Sequence, residues 1–147
     1  MKRGELIEPE SGEELLAVAR ASFRGAAAVS VRATFALGSG RMRRRAYDVW
    51  HDAAIASGFP LVPPDMVVAA TDRRVLFGKP TFWGRMPSRY SGAVELVQLA
   101  QIVAVSHGLV TGVAFAFRDG AIVEIEAMRG RRLRQLALVV EGLLAPK

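Results

Sequence analysis

Hydrophobic and polar residues alternate along much of the chain after residue 64, with apolar positions at every second residue. Such alternation, rich in β-branched residues, is typical of strands that bury one face. In one run, Val113, Phe115 and Phe117 are separated by single alanines. Asp119-Gly120, which follows this run, is typical of a two-residue type I′ hairpin. The pattern predicts six strands: Met66–Thr71, Val75–Lys79, Ala93–Val97, Ile102–His107, Gly112–Arg118 and Ala121–Ala127.

Two other stretches carry apolar residues at helical spacing. After Gly-Ser-Gly at 38–40, a stripe from Met42 to Ser57 predicts a helix over Arg41–Ser57. Gly58 is a typical residue to end that helix. A second stripe predicts an amphipathic helix over Arg129–Leu144.

The first forty residues permit more than one interpretation. Ser11 and Glu14 have the spacing of a capping box, which predicts a helix over Gly12–Phe23. A first strand is the alternative, because the apolar run in this segment is short. Alternation predicts a further strand over Val29–Leu37. An alanine-rich helix that starts near Gly25 is the alternative there.

The composition is that of an ordinary globular chain. The sequence has 147 residues, of which 51% are hydrophobic, and this fits one domain with a sizeable core. We interpret residues 1–65 as a helix–strand–helix segment that precedes the strands and last helix of residues 66–147. The absence of cysteine excludes disulfides and thiolate metal sites and favours the cytoplasm. The charged first residues lack the apolar core of a secretion signal.

One uncharged stretch, Leu96–Phe117, is long enough to cross a bilayer as a helix. It contains several polar residues, however, and two glycines, Gly108 and Gly112, interrupt it. We therefore interpret it as two short strands around a turn rather than as a membrane span.

The chain is strongly basic, with a formal net charge of +6. A basic charge of this size favours nucleic acid, anionic lipid or an acidic protein as the partner. The alternative is that an arginine-rich proteome yields basic proteins without any polyanionic partner. Of the 20 basic residues, 3 are lysine and the other 17 are arginine, which suits that alternative.

The densest basic cluster lies at the start of the first long helix. It consists of Arg41, Arg43, Arg44 and Arg45. Because the helix dipole disfavours cations at this end, the cluster costs stability unless other charges offset it. Asp48 has the spacing to pair with two of these arginines. An anionic partner would offset the rest, although a solvated basic face is the simpler interpretation.

A second candidate surface mixes basic and aromatic residues in the predicted loop around residues 81–90. Its members are Phe82, Trp83, Arg85 and Arg89. This mixture suits a membrane interface, single-stranded nucleic acid or a self-association surface. The alternative is that the aromatic rings pack on the core.

The sequence Thr-Asp-Arg-Arg at Thr71–Arg74 separates two apolar strands. We expect Asp72 to cap this turn through its own side chain. Arg73 and Arg74 occupy consecutive positions and should project to different sides. A solvated turn, with one arginine paired to a carboxylate, is favoured over an anion-binding role.

The sequence offers little support for catalysis, and we predict no enzymatic activity, no cofactor and no small-molecule substrate. His51 and His107 lie on different elements, and no thiol accompanies them. The spacings typical of metal sites and of nucleotide-binding loops are absent from the sequence. The short glycine loop at Gly38–Arg41 is a weak phosphate-binding signal.

The order of elements from Val67 to Leu144 resembles bacterial pleckstrin-homology-like (PH-like) domain proteins of the uncharacterised actinobacterial type. The resemblance rests on five pieces in order: an apolar strand, TDRRVLF, LAQIVAV, VAFAFRDGAIVEIEA and a closing helix. It implies a bent antiparallel sheet or split barrel with an open corner filled by the C-terminal helix. The helix over Arg41–Ser57 would be an addition, or an insertion after the first strand. Because this superfamily uses one scaffold for lipid headgroups, peptides and protein surfaces, the resemblance does not name the ligand.

Together these observations predict an α+β, PH-like domain with N-terminal helical additions. We expect a non-catalytic binding or assembly module that acts through a basic–aromatic surface on a protein partner or on itself. Peripheral contact with an anionic membrane is a second expectation, and a basic nucleic-acid-associated protein is the alternative. An apolar patch at Phe82–Trp83 would favour assembly or membrane contact. An arginine track from Arg41–Arg45 to Arg129–Arg134 would favour nucleic acid.

Overall fold

The computed structural model of the chain describes residues 7–26, 39–80 and 90–145. Its strands are β1 (Leu15–Phe23), β2 (Asp65–Thr71), β3 (Arg74–Gly78), β4 (Gly92–Glu95), β5 (Leu99–His107), β6 (Val110–Phe117) and β7 (Ile122–Met128). The helices are α1 (Ser39–Ala56) and α2 (Arg131–Leu144). All six strands and both helices predicted for residues 41–144 are confirmed, with ends that differ by at most three residues. The strand predicted over Val29–Leu37 lies outside the described residues.

The strands form one antiparallel, seven-stranded sheet in the order β4-β3-β2-β1-β7-β6-β5. The sheet is not closed, and β4 and β5 are its two edges. β1 occupies the middle, where it pairs with β2 from Leu15 to Ser22. On its other side β1 pairs with β7 only at Ser22 and Phe23. The two strands diverge beyond that short contact, and this divergence shapes the candidate site described below.

The helix predicted over Gly12–Phe23 is wrong, because the structure has a strand there. Ala19, Ala21 and Phe23 are buried on one face of β1, whereas Arg20 on the other face is exposed. The expected capping box is replaced by a turn in which the backbone N–H of Glu13 donates to the carbonyl of Glu10 at 3.0 Å. Pairing with β2 therefore outweighed the local helical signal. Of the two helical additions expected before β2, the described residues contain one, α1, inserted between β1 and β2.

The turn between β6 and β7 is a hairpin, as predicted, but its type differs. A type I′ turn needs positive φ at both central residues. Gly120 has a φ of 95°, whereas Asp119 lies outside the left-handed region. Phe117 donates to the carbonyl of Ala121 at 2.8 Å and accepts from the N–H of Gly120 at 3.0 Å. The loop therefore has three residues and a glycine bulge, and the type I′ prediction is wrong.

The core lies between the sheet and the two helices. Phe59, Phe77 and Phe115 form a triangle of rings with centroids 5.0–5.8 Å apart. α1 contributes Trp50, whose indole Nε1–H donates to the carbonyl of Glu124 at 2.9 Å. α2 closes the core with the apolar stripe that the sequence shows: Leu133, Leu136, Ala137 and Val140 are buried.

The uncharged stretch Leu96–Phe117 forms a short 3-10 turn (Leu96–Gln98) followed by β5 and β6, so the interpretation as strands is confirmed. In the part of the chain that the structure describes, neither helix combines the length and apolar character needed to cross a bilayer.

Candidate anion-binding surface

The corner at Thr71–Arg74 is held by internal hydrogen bonds. The hydroxyl of Thr71 accepts from the backbone N–H groups of Arg73 and Arg74 at 3.2 and 3.1 Å. Asp72 does not cap its own turn, so that prediction is wrong. Its Oδ1 accepts instead from the backbone N–H of Glu14 at 3.1 Å. The corner is therefore hydrogen-bonded to the segment that leads into β1.

Both arginines of this corner are paired with carboxylates of that segment. Arg73 Nη1 lies 2.8 Å from Glu10 Oε2, and this pair is exposed. Arg74 binds Glu13 with two nitrogens, Nε to Oε2 at 3.0 Å and Nη2 to Oε1 at 2.9 Å. Their charges are used within the chain, which favours the structural interpretation of the corner.

The pair of Arg74 and Glu13 is shielded from solvent. The Glu13 side chain is 0% exposed and that of Arg74 is 10% exposed. The pKa of Glu13 falls from 4.5 to about 2, chiefly because Arg74 donates hydrogen bonds to the carboxylate; a hydrogen bond from Thr71 adds to this, and burial opposes it. The same pairing raises the pKa of Arg74. Glu13 is thus a fixed negative charge at any physiological pH.

Among the arginines at the start of α1, Arg43 is engaged within the fold. Its Nη2 lies 2.7 Å from Asp65 Oδ1, and its guanidinium carbon is 5.7 Å from the ring centroid of Phe23. The hydroxyl of Ser22 donates to the same carboxylate oxygen at 2.9 Å. Arg43 therefore fastens α1 to the ends of β1 and β2.

The other three arginines of the cluster, Arg41, Arg44 and Arg45, are exposed. None of them forms an ion pair with another described residue, and the pairing with Asp48 that the spacing permits is not formed. The first turn of α1 contains no acidic residue. These three charges are consequently available to an external anion.

A second basic surface lies where β1 and β7 diverge. The start of α2 fills part of the gap and leaves a cleft of about 500 Å³, which we call the arginine cleft. It is lined by Val18, Ala19, Arg20, Val67, Ala127, Met128, Arg129, Gly130, Arg131, Arg132 and Leu133. Four of these residues are arginines and none is acidic.

The backbone between β7 and α2 is held in a specific conformation. Arg129 has a φ of 54°, in the left-handed region that residues with a side chain seldom adopt. Its N–H donates to the carbonyl of Leu109 at 2.7 Å, which anchors the link to the β5–β6 hairpin. A Cβ on Gly130 would lie 2.8 Å from the Cβ of Thr111, so only glycine fits there without a shift. This packing fixes the position of the backbone that carries the arginines at the start of α2.

The electrostatics of the arginine cleft are unbalanced. Arg20, Arg129, Arg131 and Arg132 are all exposed, and none forms an ion pair with another described residue. The first turn of α2 carries no acidic residue. The positive end of the α2 dipole adds to the field of the four guanidinium groups. The cleft can therefore receive a carboxylate or phosphate group in bidentate geometry.

An apolar depression continues the cleft along α2. It has a volume of about 530 Å³ and shares Val18 and Arg132 with the arginine cleft. Its other lining residues are Leu16, Ala17, Gln135, Leu138 and Val139. Leu138 is 59% exposed and Leu16 is 38% exposed, so this part offers apolar surface to a ligand. We call the cleft and the depression together the β1–α2 groove.

The aromatic–basic candidates Phe82, Trp83, Arg85 and Arg89 lie outside the described residues. Arg41–Arg45 and Arg129–Arg134 are recognisable in the sequence as basic runs, whereas Arg20 stands alone among uncharged residues. That residue reaches the site only because its segment is a strand rather than the predicted helix.

The histidines do not form a catalytic arrangement among the described residues. The ring of His51 stacks on Tyr47 with centroids 5.0 Å apart. His107 is half-exposed, and its Nε2 lies 3.6 Å from Glu124 Oε1. Within the described ranges, no group of three or more acidic or histidine side chains has the arrangement to hold a metal ion.

Comparison of the chain with models of known protein families gave no match, and comparison with curated proteins gave none either. The function must therefore be inferred from the surfaces described above.

Proposed function

We propose that this protein is a non-catalytic binding module whose arginine-rich surface recognises an acidic surface of a protein partner. The observation that carries the proposal is the set of exposed arginines without a carboxylate partner among the described residues. Seven of them cluster on two surfaces: Arg41, Arg44 and Arg45 on α1, and Arg20, Arg129, Arg131 and Arg132 in the arginine cleft. Seven like charges on one small fold lower its stability, and an acidic partner would offset that cost.

The apolar surface beside these charges supports a protein as the partner. Arginine, methionine and large apolar side chains are enriched in protein interfaces, whereas a polyanion alone has little use for exposed leucines. Met128 in the cleft is 59% exposed, and Leu138 in the apolar depression is equally exposed. A protein surface that carries both carboxylates and apolar groups matches this combination.

We further propose that the fold is PH-like. Four consecutive strands on one side of the sheet, three on the other and a closing helix support this identity. A scaffold of this kind presents surfaces that can bind lipid headgroups, peptides or other proteins, so the fold is compatible with a binding role without naming the ligand. In this reading, α1 is an insertion that adds a basic helix to the scaffold.

Nucleic acid is the second candidate, and the position of Arg20 favours it. Arg20 lines the arginine cleft and lies two residues before Ser22, which shares the carboxylate of Asp65 with Arg43. The basic end of α1 and the cleft therefore adjoin along β1, as a track for a phosphate backbone would require. An anionic membrane is a further polyanion that such a surface can contact peripherally.

The proposal is tested by measuring the binding of four probes to the full chain across a salt series. The probes are a labelled poly-glutamate, duplex DNA, anionic vesicles and neutral vesicles, with light scattering to report the mass of the protein itself. The test variant is Arg41→Gln/Arg44→Gln/Arg45→Gln. The matched control is Lys79→Gln/Arg118→Gln/Arg134→Gln, which removes the same charge from exposed positions that line neither the arginine cleft nor the apolar depression.

We expect poly-glutamate to bind and the test variant to lose at least threefold more affinity than the control. Equal losses in both variants would contradict a defined surface, because net charge alone would then explain binding. Preference for duplex DNA, with a steep salt dependence, would replace the proposal by the nucleic-acid candidate. Binding to anionic vesicles alone would replace it by a membrane role.

A further inference from the structure

We propose that the β1–α2 groove binds an extended peptide segment that has acidic residues at one end and apolar residues at the other. This inference rests on the proposed function, and it names the part of the partner that is recognised. The groove is distinct from the α1 arginines, so the two can be tested separately.

The length of the groove favours a peptide over an isolated anion. One wall is formed by five consecutive residues, 16–20 of β1. At ~3.3 Å per residue, this wall is ~13 Å long, which matches four or five residues of an extended chain. The opposite wall follows α2 from Arg131 to Val139, which is ~12 Å at 1.5 Å per residue. A single phosphate group would occupy only the basic end.

The chemistry of the groove changes from one end to the other. Arg20, Arg129 and Arg131 line only the arginine cleft, whereas Leu16 and Leu138 line only the apolar depression. A ligand that fills the groove must therefore present carboxylates at the first end and apolar side chains at the second. The guanidinium groups bind carboxylates in bidentate geometry, which fixes the direction of the segment.

The backbone of β1 is also suited to an extended ligand. From Leu15 to Ala21 this strand pairs with β2 on one side, and β7 offers it no partner on the other side. Peptides often bind by adding to such a strand edge, where main-chain hydrogen bonds give affinity and side-chain pockets give specificity.

A different protein is a better source of this segment than a second copy of the chain. The most acidic part of the described chain, residues 8–14, is already held by its own arginines. Glu10 is paired with Arg73, and Glu13 is buried against Arg74. Release of this segment would break both ion pairs before the groove of a neighbour could receive it.

The test uses calorimetry and two-dimensional NMR of the full chain with short synthetic peptides. One peptide has leucines at its amino end and glutamates at its carboxyl end, a second has the reverse order, and a third replaces glutamate by glutamine. Two groove variants separate the ends of the site: Arg129→Gln/Arg132→Gln for the basic end and Leu138→Glu for the apolar end. The control is Arg118→Gln/Arg134→Gln, and inorganic phosphate is titrated alone.

We expect one of the two acidic peptides to bind at least tenfold more tightly than the other, which corresponds to ~1.4 kcal/mol. Each groove variant should lower the affinity for that peptide about tenfold, whereas the control variant should leave the affinity unchanged. Chemical-shift changes on binding should map to residues 16–20 and 129–139. Equal affinity of the two orders, or unchanged affinity in both groove variants, would overturn the inference. If binding is lost only in the Arg41/Arg44/Arg45 variant, the groove proposal fails while the proposed function stands. If neither peptide nor poly-glutamate binds, both fail, and phosphate binding without peptide binding overturns the peptide assignment.

Discussion

Replacement of Glu13 by glutamine should destabilise the protein markedly at neutral pH. Its carboxylate is fully buried and accepts from Arg74 through two nitrogens and from the hydroxyl of Thr71 at 2.6 Å. A pKa that falls from 4.5 to about 2 on folding corresponds to ~3 kcal/mol of stabilisation at pH 7. The variant also leaves the guanidinium of Arg74 without its counter-charge. We therefore expect Glu13→Gln to lower the free energy of unfolding by ~2–3 kcal/mol.

The sign of the pH dependence follows from the direction of the pKa change. Because the folded state holds Glu13 at a pKa below its unfolded value, the unfolded state binds the proton more readily. The stabilisation is fully present above pH 4.5 and is lost as the pH falls towards 2. The free energy of unfolding should therefore decrease across this window in the native chain. The Glu13→Gln variant lacks this titrating group, so its free energy of unfolding should decrease less across the same window.

Urea denaturation at a series of pH values from neutral to acid measures both effects. Glu14→Gln is the matched control, because the Glu14 residue is exposed and its contacts with the corner, an N–H to Asp72 Oδ1 and a carbonyl to the Asp72 N–H, are made by the backbone and are retained. The difference between the native chain and Glu13→Gln should shrink steadily below pH 4.5, whereas the control should follow the native chain. Parallel curves for the native chain and Glu13→Gln between pH 5 and 2 would refute the assigned role of the pair.

Two further predictions concern the start of α2. Gly130→Ala should lower the free energy of unfolding by ~1–3 kcal/mol in urea denaturation, because the new Cβ would lie 2.8 Å from Thr111. Gly142→Ala, where the added group meets open space, should be neutral or stabilising, and an equal loss in both variants would disprove the steric cause. Arg129→Gln/Arg132→Gln should raise the free energy of unfolding of the unliganded protein, measured by thermal denaturation, by ~0.5 kcal/mol at low salt, since it relieves repulsion between like charges. The gain should vanish at high salt, and a salt-independent change would contradict that reason.

The parts of the fold that were predicted correctly depend on contacts between neighbours in sequence. β6 and β7 form a hairpin whose alternation is visible in a short window, and Leu133 to Val140 of α2 show a helical stripe on their own. β1 behaves differently, because its partners are distant: Leu15 pairs with Thr71, and Phe23 pairs with Ile125. A capping-box spacing was the strongest local signal in this segment, and long-range pairing overrode it.

The candidate site was predicted only in part for the same reason. The arginine-rich runs at the starts of α1 and α2 are visible in the sequence. The sequence does not show which arginines lack an ion-pair partner. Arg43 pairs with Asp65 and Arg74 pairs with Glu13, and both partners are distant in sequence. The arginine cleft exists because β1 and β7 separate after two paired residues, and that separation is a property of the assembled sheet.

The central position of β1 has a consequence for how the chain is made. Of the seven strands that the structure describes, β1 leaves the ribosome first, yet β7 is completed about one hundred residues later. At ~5–20 residues per second, β1 remains without its second neighbour for ~5–20 s. The three strands β2 to β4 and the three strands β5 to β7 can each form from adjacent segments, whereas only β1 joins them. Loss of β1 would leave two small sheets with newly exposed edges, which are open to aggregation. The strand that is made first is therefore also the strand that waits longest for its full set of neighbours.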